Sequence, residues 1–296
     1  QKKNVANEGP ATVKVNSAPL YRQDYTLWGS PVIQQNLRAF SPQTLYNRFS
    51  SYDETIGTVG DYVQELFTNA DIATKNFQSG KGYLIRMPNN WTEYVNDAIA
   101  GTSYNGLFKG VPQNGTIIMP ISKVNDGLNL VSNPYPSSIM IDNFFNQNPQ
   151  LEETIYYWRK RNNASGSGYA TYNAMGFVSF QPGLDQLGAQ LESFSAISPG
   201  QGFFVKANAA IPVVFNNSMR SVTHNGVFLR SASQEKHRFK LNLSHNSAVV
   251  GQTLIGYAAG ATANVDKGFD SSYFNDSAIA LTSLIDGEEF IIENNK

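Results

Sequence analysis

The chain has 296 residues, of which 41% are hydrophobic, and a formal net charge of −1 at pH 7. This length allows two or three domains, and the near-zero charge argues against nucleic-acid binding, which needs a basic surface. The absence of cysteine excludes disulfides, thiolate metal ligands and a cysteine nucleophile. No stretch of the sequence approaches the roughly 20 apolar residues of a membrane span.

The composition predicts an all-β protein. Charged residues make up 15% of the chain, well below the ~25% of typical globular proteins. The sequence contains 24 Gly, 15 Tyr and 18 Phe; turn formers combined with aromatic and β-branched residues are typical of many short strands. The low charge also favours an exported surface protein over a metabolic enzyme.

The first part of the chain reads as a lead-in followed by two similar modules. Residues 1–21 are polar and linker-like until a predicted leading strand at 18–21. We predict tandem, jelly-roll-like β-sandwich modules at 22–123 and 124–221, the second with a longer loop. Each opens with an apolar strand that runs into a turn with proline, at Ser30-Pro31 and Asn133-Pro134. Similarity at a spacing of about a hundred residues indicates tandem domains, because solenoid repeats run ~20–50 residues.

Helices are expected to be few and short. Ser41 and Pro42 have the residue types of a helix N-cap and first turn. In the second module, Ser137 or Ser138 is placed to cap one or two helical turns. The apolar residues of that segment follow i, i+3, i+4 spacing: Ile141, Phe144 and Phe145.

A glycine joint occurs once in each module, as SGKGYLIR and PGQGFFVK. A phosphate-binding loop needs a helix N-terminus after its glycines, whereas β-forming residues follow here. We therefore predict a structural joint in which glycine supplies a positive φ or a bulge. Arg86 and Lys206 then lie near strand ends, where a solvated or ion-paired charge is favoured over a ligand contact.

Residues 222–296 are predicted to begin a third, incomplete β unit. The segment EKHRFKLNLS alternates apolar and polar residues, and Asp286-Gly287 is a strong hairpin signal. The unit has room for four or five strands, whereas a closed sandwich usually needs seven or more. We therefore expect the remaining strands to follow Lys296 in a longer product or to come from a neighbouring molecule.

Three aromatic residues are candidates for ligand binding. Trp91, in PNNWTEY, and Tyr169 and Tyr172, in SGSGYATYN, lie in turn-like surroundings, where flat rings can stack on sugars. The alternative is that these rings pack loops onto the sandwich. Trp28 and Trp158, in predicted strands, are expected in the core.

A candidate calcium loop lies at 264–277, with carboxylates at Asp266, Asp270 and Asp276. Calcium takes six to eight oxygen ligands, but the spacing matches no standard loop, and Asp in turns often bonds its own backbone. No other cofactor is predicted. The three histidines show no metal-binding or hydrolase motif, so no catalytic residue is assigned.

Strings along nearly the whole chain resemble the repeated region of large surface proteins exported by the type IX secretion system of gliding and marine Bacteroidota. They include YTLWGSPV, GKGYLIRMP, FKGVPQNGTIIMPI, LVSNPYPSSIMIDNFF, TIYYWRK, SPGQGFFVKA, FNNSMR and HRFKLNLS. The resemblance implies extracellular or cell-surface localisation, β-sandwich architecture, and export through a sorting domain that this chain lacks. It also makes Ser277, in Asp276-Ser277-Ala278, a candidate O-glycosylation site of the short Asp-Ser-apolar type used in that phylum.

Three functions remain open at this point. The first is a non-enzymatic segment of a secreted cell-surface protein, used for adhesion or fibre building, with surface glycans or other surface-protein copies as partners. The second is an accessory or catalytic part of a polysaccharide-active enzyme, which would need two acids across a cleft. The third is a structural spacer or filament subunit without a ligand.

Overall fold

The computed structural model describes residues 6–69, 71–96, 100–158, 168–179, 195–221, 237–246, 248–274 and 279–296. The strands are, in chain order, β1 (Ala11–Leu20), β2 (Tyr25–Trp28), β3 (Phe49–Asp53), β4 (Asp61–Gln64), β5 (Tyr83–Arg86), β6 (Thr102–Gly110), β7 (Ile117–Met119), β8 (Leu128–Ser132), β9 (Ile139–Met140), β10 (Ile155–Trp158), β11 (Tyr169–Asn173), β12 (Gly176–Val178), β13 (Ala196–Ile197), β14 (Gly202–Lys206), β15 (Val213–Phe215), β16 (His237–His245), β17 (Ala248–Tyr257), β18 (Ser271–Ser272), β19 (Ser283–Ile285) and β20 (Glu288–Asn295). The helices are α1 (Leu37–Phe40), α2 (Asp71–Thr74) and α3 (Ile141–Gln147), with 3₁₀ turns at Tyr46–Arg48 and Asn217–Met219. The predicted all-β class with short helices is confirmed. Within the described residues, none of the helices has the length and apolar character needed to cross a membrane.

The chain divides into two compact units. Unit 1 holds the described residues up to 150 and those from 196 to 221, and unit 2 holds the rest. The predicted module boundaries at 22–123 and 124–221 remain a prediction. Strand β1 begins earlier than the leading strand expected at 18–21, because its first residues pair with β6 from Ala11 onward.

Unit 1 is built from several small antiparallel sheets. Strands β2, β5, β3 and β4 form one sheet in the order β2-β5-β3-β4, and β1 pairs with β6. Strand β8 pairs with β14, β7 with β15, and β9 with β13. Aromatic rings fill the core on one face of the β2-β5-β3-β4 sheet. Its buried members are Trp28, Val32, Leu37, Phe40, Phe49, Phe77, Tyr83, Ile85 and Phe108, which confirms the core position expected for Trp28.

Each glycine joint in unit 1 contacts the end of a strand from the other predicted module. Gly80 and Gly200, the first glycine of each joint, both have positive φ, at 78° and 63°, as predicted. Gly29, just after β2, donates its N–H to the Gly200 carbonyl at 2.8 Å, and Ser132, at the end of β8, donates its N–H to the Gly80 carbonyl at 2.8 Å. The two contacts are therefore reciprocal.

Close backbone approach explains the glycines at this contact. A Cβ added to Gly82 would lie 2.9 Å from the Val131 carbonyl oxygen, and one added to Gly29 would overlap the Ser132 side chain. Real Cβ atoms do not approach other atoms this closely. The joint is therefore a packing device, because its glycines allow two pairs of strands to come into contact.

A buried carboxylate fixes the segment that links β7 to β8. Glu54, just after β3, is buried. Its Oε2 accepts from the Val124 N–H at 2.9 Å, and its Oε1 accepts from Asn125 and Gly127 at 2.6 and 2.8 Å. Charged acceptors form the stronger class of protein hydrogen bond, so this residue anchors residues 124–127 onto the sheet of β3.

Two helix predictions were wrong in detail. Ser41 and Pro42 do not start a helix; α1 is capped by Asn36, whose side chain accepts from the Ala39 N–H, and Ser41 lies at its C-terminal end. Helix α3 forms where its apolar spacing predicted and buries Ile141, Phe144 and Phe145. Its N-cap, however, is Met140, without a side-chain hydrogen bond, so neither Ser137 nor Ser138 caps it.

Unit 2 contains the order β10-β11-β12 and a second sheet in the order β16-β17-β20-β18, with β19 also paired to β20. Strands β17 and β20 run parallel. The predicted hairpin at Asp286-Gly287 is confirmed: β19 and β20 are antiparallel, and both turn residues have positive φ. A core of this unit is formed by buried residues of β12, β17, β20 and the turn before β12, namely Met175, Val178, Leu254, Ile291 and Ile292.

The contact between Gly29 and Ser132 predicts that a second substitution restores part of the stability lost through a first. We expect Gly29→Ala to lower the free energy of unfolding by about 1–3 kcal/mol, because overpacking forces neighbouring atoms to shift. Adding Ser132→Gly should recover part of that loss, since it removes the side chain that the new Cβ would meet. Urea unfolding of both single variants and the double variant measures the coupling. Simple additivity would contradict the close contact.

The hydrogen bonds of Glu54 predict that its substitution lowers stability more than the loss of a surface charge would. Glu54→Gln should reduce the free energy of unfolding by about 2–3 kcal/mol, since an amide NH₂ would face the Val124 N–H and leave both donors without an acceptor. Glu288→Gln, on the exposed start of β20, is the control and should change the stability little. Equal effects in the two variants would show that Glu54 is not an anchor.

Candidate functional site: an arginine cluster in unit 1

Three arginines gather at one end of the β2-β5-β3-β4 sheet. Arg86 ends β5 and stands opposite Tyr25 of β2. Phe49 of β3 stands opposite Ile85, and Arg48, the last residue of the 3₁₀ turn, immediately precedes it. Opposite residues in an antiparallel sheet point to the same face. Tyr25 and Arg86 therefore point to the face of the sheet away from the aromatic core, and Arg48 lies next to this end of the sheet.

Arg86 is a buried cation with only neutral partners. It is 5% exposed. Its Nη1 donates to Gln23 Oε1 at 3.2 Å and its Nη2 donates to Asn89 Oδ1 at 3.1 Å. Its Nε is buried and has no hydrogen-bond partner among the described residues. Buried charges are usually paired with an opposite charge, so Arg86 departs from the general pattern.

Arg22 and Arg48 resemble Arg86 in their hydrogen bonding. The Nε atoms of both are buried and, among the described residues, have no hydrogen-bond partner. Arg22 forms one ion pair, from its Nη2 to Glu93 at 3.0 Å, and the Glu93 side chain is 67% exposed. We refer to Arg22, Arg48 and Arg86 as the arginine cluster. It contains three positive charges, and the ion pair that the described residues form with it is that of Arg22 with Glu93.

The charges of the neighbouring arginines act on Arg86 in the same direction as burial. Burial is the largest influence on Arg86 and lowers its pKa below the ordinary value. The Tyr25 hydroxyl acts in the opposite sense, and the charges of Arg48 and Arg22 lower the pKa further. The positive charge of Arg86 is therefore disfavoured both by burial and by its two arginine neighbours.

Other buried or half-buried bases in unit 1 have partners of two kinds. Lys206 ends β14 as Arg86 ends β5, and its Nζ pairs with Asp126 at 3.0 Å. Arg38 donates to the carbonyls of Thr44 and Pro42. Arg220 donates from Nε to Ser137 at 2.8 Å and from Nη1 to Asn114 at 2.7 Å. These partners of Arg38 and Arg220 are neutral, as for Arg86, so the base that contrasts with Arg86 is Lys206.

The predicted ligand residue Trp91 lies in the loop that carries Asn89 and Glu93. Its Nε1 donates to the Thr102 carbonyl at 3.0 Å, and its ring packs edge-on against Tyr104 at 5.5 Å between centroids. The side chain is half-buried. The indole is thus anchored by a hydrogen bond and a ring contact, close in sequence to two residues of the cluster's surroundings, and its binding role remains a prediction.

Tyr169 and Tyr172 do not lie in the turn-like surroundings expected from the sequence. Both belong to strand β11 and are buried. The Tyr169 ring packs against Trp158 at 5.1 Å and Phe274 at 4.4 Å. The Tyr172 hydroxyl is 2.9 Å from Ser195 Oγ. The two rings are used for packing in unit 2, and a ligand role for them remains a prediction.

The candidate calcium loop uses its carboxylates on its own backbone. Asp266 accepts from the Thr262 N–H, while Asp270 accepts from Asp266 at 2.6 Å and from Asn294 at 2.7 Å. Burial raises the pKa of Asp270, and the two backbone hydrogen bonds oppose that rise. Asp276 and Ser277 lie outside the described residues, so the third carboxylate and the glycosylation candidate remain predictions. Among the side chains the structure describes, no group of three or more His, Asp or Glu could hold a metal ion.

Of the three arginines, only Arg86 stood out in the sequence, and a solvated or ion-paired charge at a strand end was the favoured prediction for it. Three bases at positions 22, 48 and 86 form no motif, and they converge only through the pairing of β2, β5 and β3. The signal that could have found them is the alternation within each strand, which places Tyr25 and Arg86 away from the core positions of Trp28 and Tyr83. The register that brings Arg48 beside them is not readable without the structure.

Comparison with known proteins gives one match. No curated protein and no solved structure matches the chain. A family model, described as a domain of unknown function (DUF8693), matches residues 1–296. The chain therefore belongs to the DUF8693 family.

Proposed function

We propose that this chain is a non-enzymatic binding segment of a secreted cell-surface protein, used for adhesion to surface glycans. The observation that carries the proposal is the arginine cluster: Arg86 has no carboxylate partner among the described residues, although the corresponding base Lys206 has one. A site that leaves charge unsatisfied in the free protein is typical of binding rather than of stability.

The surroundings of the cluster suit recognition of a polyhydroxylated ligand. Gln23 and Asn89 are exposed amides that already contact Arg86, and amides can both donate to and accept from hydroxyl groups. Trp91 adds an anchored, half-exposed indole in the same loop as Asn89. Few precisely placed polar groups beside aromatic surface are usual in small-ligand sites.

Extracellular localisation and export by the type IX system belong to the same proposal. They are supported by the resemblance of the sequence strings to exported surface proteins and by the low content of charged residues. The chain would then act as one segment of a larger adhesin, with further segments supplying sorting and attachment.

A second candidate function, assembly with other copies of the chain, is favoured by strand β16. It is the outermost strand in the described order of its sheet. Phe239, Leu241 and Leu243 on one face are 46%, 46% and 38% exposed. Open, apolar strand edges tend to pair with other strands.

The charges of β16 fit pairing with a second copy of itself. Antiparallel pairing centred on Leu241 places Phe239 opposite Leu243, and Lys240 opposite Asn242. Arg238 then faces Ser244, so no lysine or arginine opposes another. Pairing centred on Lys240 would place two lysines opposite each other, which is destabilising. The sequence of β16 therefore favours one register between copies.

The adhesion proposal predicts binding without turnover. On a glycan array, the purified chain should bind a subset of surface polysaccharides and leave their length unchanged after prolonged incubation. Polysaccharide cleavage that is lost on substitution of one carboxylate would contradict the non-enzymatic proposal and support the enzyme alternative.

The assembly candidate predicts a concentration-dependent dimer. Light scattering after size exclusion should show dimers at micromolar concentration, and Leu241→Lys should return the chain to monomers because two lysines would face each other. Leu284→Lys, at an exposed position of β19, is the control. A monomer at all concentrations would reject this candidate and leave adhesion unaffected.

A further inference from the structure

We infer that the arginine cluster binds the carboxylate or sulfate group of an acidic polysaccharide. This inference rests on the proposed adhesion function, which it makes specific to a chemical class of ligand. The site consists of Arg22, Arg48 and Arg86, with the amides of Gln23 and Asn89 at its edge.

The need for an anion follows from the local charge. Three guanidinium groups stand near each other, and in the described part of the chain the one carboxylate paired with them is that of Glu93, which is largely in solvent. Like charges close to each other repel, and a buried cation without a counter-charge is costly. An incoming anion relieves both costs, whereas water relieves neither fully. A negative group bound at this position would thus lower the electrostatic free energy of the cluster.

The geometry of arginine selects among anions. A guanidinium group presents its N–H donors in a planar fork that matches the paired oxygens of a carboxylate or sulfate group. The Nε of Arg86 is buried, whereas its Nη1 and Nη2 donate to the exposed side chains of Gln23 and Asn89. The neutral oxygens of Gln23 and Asn89 sit 3.2 and 3.1 Å from those nitrogens and can be exchanged for ligand oxygens.

A polysaccharide fits this site better than a nucleic acid. The chain has a net charge of −1, so long-range attraction to a dense polyanion is weak, and binding must depend on short-range contacts. Polysaccharides of uronate or sulfated sugars carry an anionic group on every sugar residue or on every second one. Hydroxyl groups lie between these charges. The exposed amides beside the cluster provide hydrogen-bond partners for those hydroxyls.

The first experiment uses small ligands and thermal unfolding. Sodium galacturonate and sodium sulfate should each raise the melting temperature, relative to sodium chloride at equal ionic strength and to neutral galactose, by binding only the folded state. Sulfate also stabilises proteins in general. The comparison with variants therefore isolates the site: the general effect persists in Arg48→Gln and Arg86→Gln, and the specific part is lost.

The variants also separate a binding role from a structural role. Without ligand, Arg48→Gln and Arg86→Gln should melt at the same temperature as the parent or higher, because each removes like-charge repulsion. Arg86→Lys keeps the charge but loses the fork, so it should bind more weakly than the parent and more strongly than Arg86→Gln. Lys206→Gln, at the corresponding end of β14, should leave ligand binding unchanged.

The second experiment uses polymers and identifies the source of the anion. Immobilised polygalacturonate presents carboxylates, dextran sulfate presents sulfates, and dextran is neutral. We expect binding to one or both acidic polymers and none to dextran, with a loss of about tenfold or more in Arg86→Gln, as for removal of a charge-assisted hydrogen bond. Polyglutamate is included as an acidic peptide. Equal, arginine-dependent binding to it would overturn the assignment to polysaccharides.

The outcomes distinguish this inference from the adhesion proposal. Binding to neutral glycans that is unchanged in Arg48→Gln and Arg86→Gln would overturn the inference and leave adhesion standing. Arginine-dependent stabilisation by galacturonate or sulfate, without binding to any polymer, would support the anion site and count against adhesion. Destabilisation of both glutamine variants without ligand, and no ligand effect in the parent, would show that the arginines are structural.

Discussion

The close contact of each glycine joint with the opposite strand pair is the constraint on which unit 1 depends. Gly29 and Ser132 each donate a backbone hydrogen bond to the opposite joint, both at 2.8 Å, and the space there admits no further side-chain atoms at Gly82. Hydrogen bonds of this kind exclude water and fix relative positions. The strand pairs β2–β5 and β8–β14 therefore meet in one arrangement, which also positions the residues at their far ends.

Sequence reasoning succeeded where the signal was local. The strand at β16, the Asp286-Gly287 hairpin and the positive φ of Gly80 and Gly200 depend on neighbouring residues, and the structure shows all of them. It failed for the cap of α1, because Asn36 is held in place by carbonyls at Ile72 and Lys75, more than thirty residues away in sequence. A helix N-cap that is determined by such long-range contacts cannot be predicted from residue type alone.

The same distinction separates the candidate sites. Residue type pointed to Tyr169 and Tyr172, but their exposure depends on tertiary packing, and the structure buries both rings. It pointed to Asp266 and Asp270 as ligands, although their carboxylates satisfy nearby N–H groups. The arginine cluster had no linear pattern. It becomes visible only when the strand register is known and the hydrogen-bond partners of each buried donor have been identified.

The aromatic core and the arginine cluster lie at opposite ends of one short strand pair. At one end of β2 and β5, Trp28 and Tyr83 enter the aromatic core beside the glycine joint. At the other end, about 10 Å away by strand geometry, Tyr25 and Arg86 point away from that core. A binding group is most effective when the backbone that carries it cannot move. Because the joint packs tightly, it limits backbone movement along β2 and β5, and this would hold Arg86 in place beside Gln23 and Asn89.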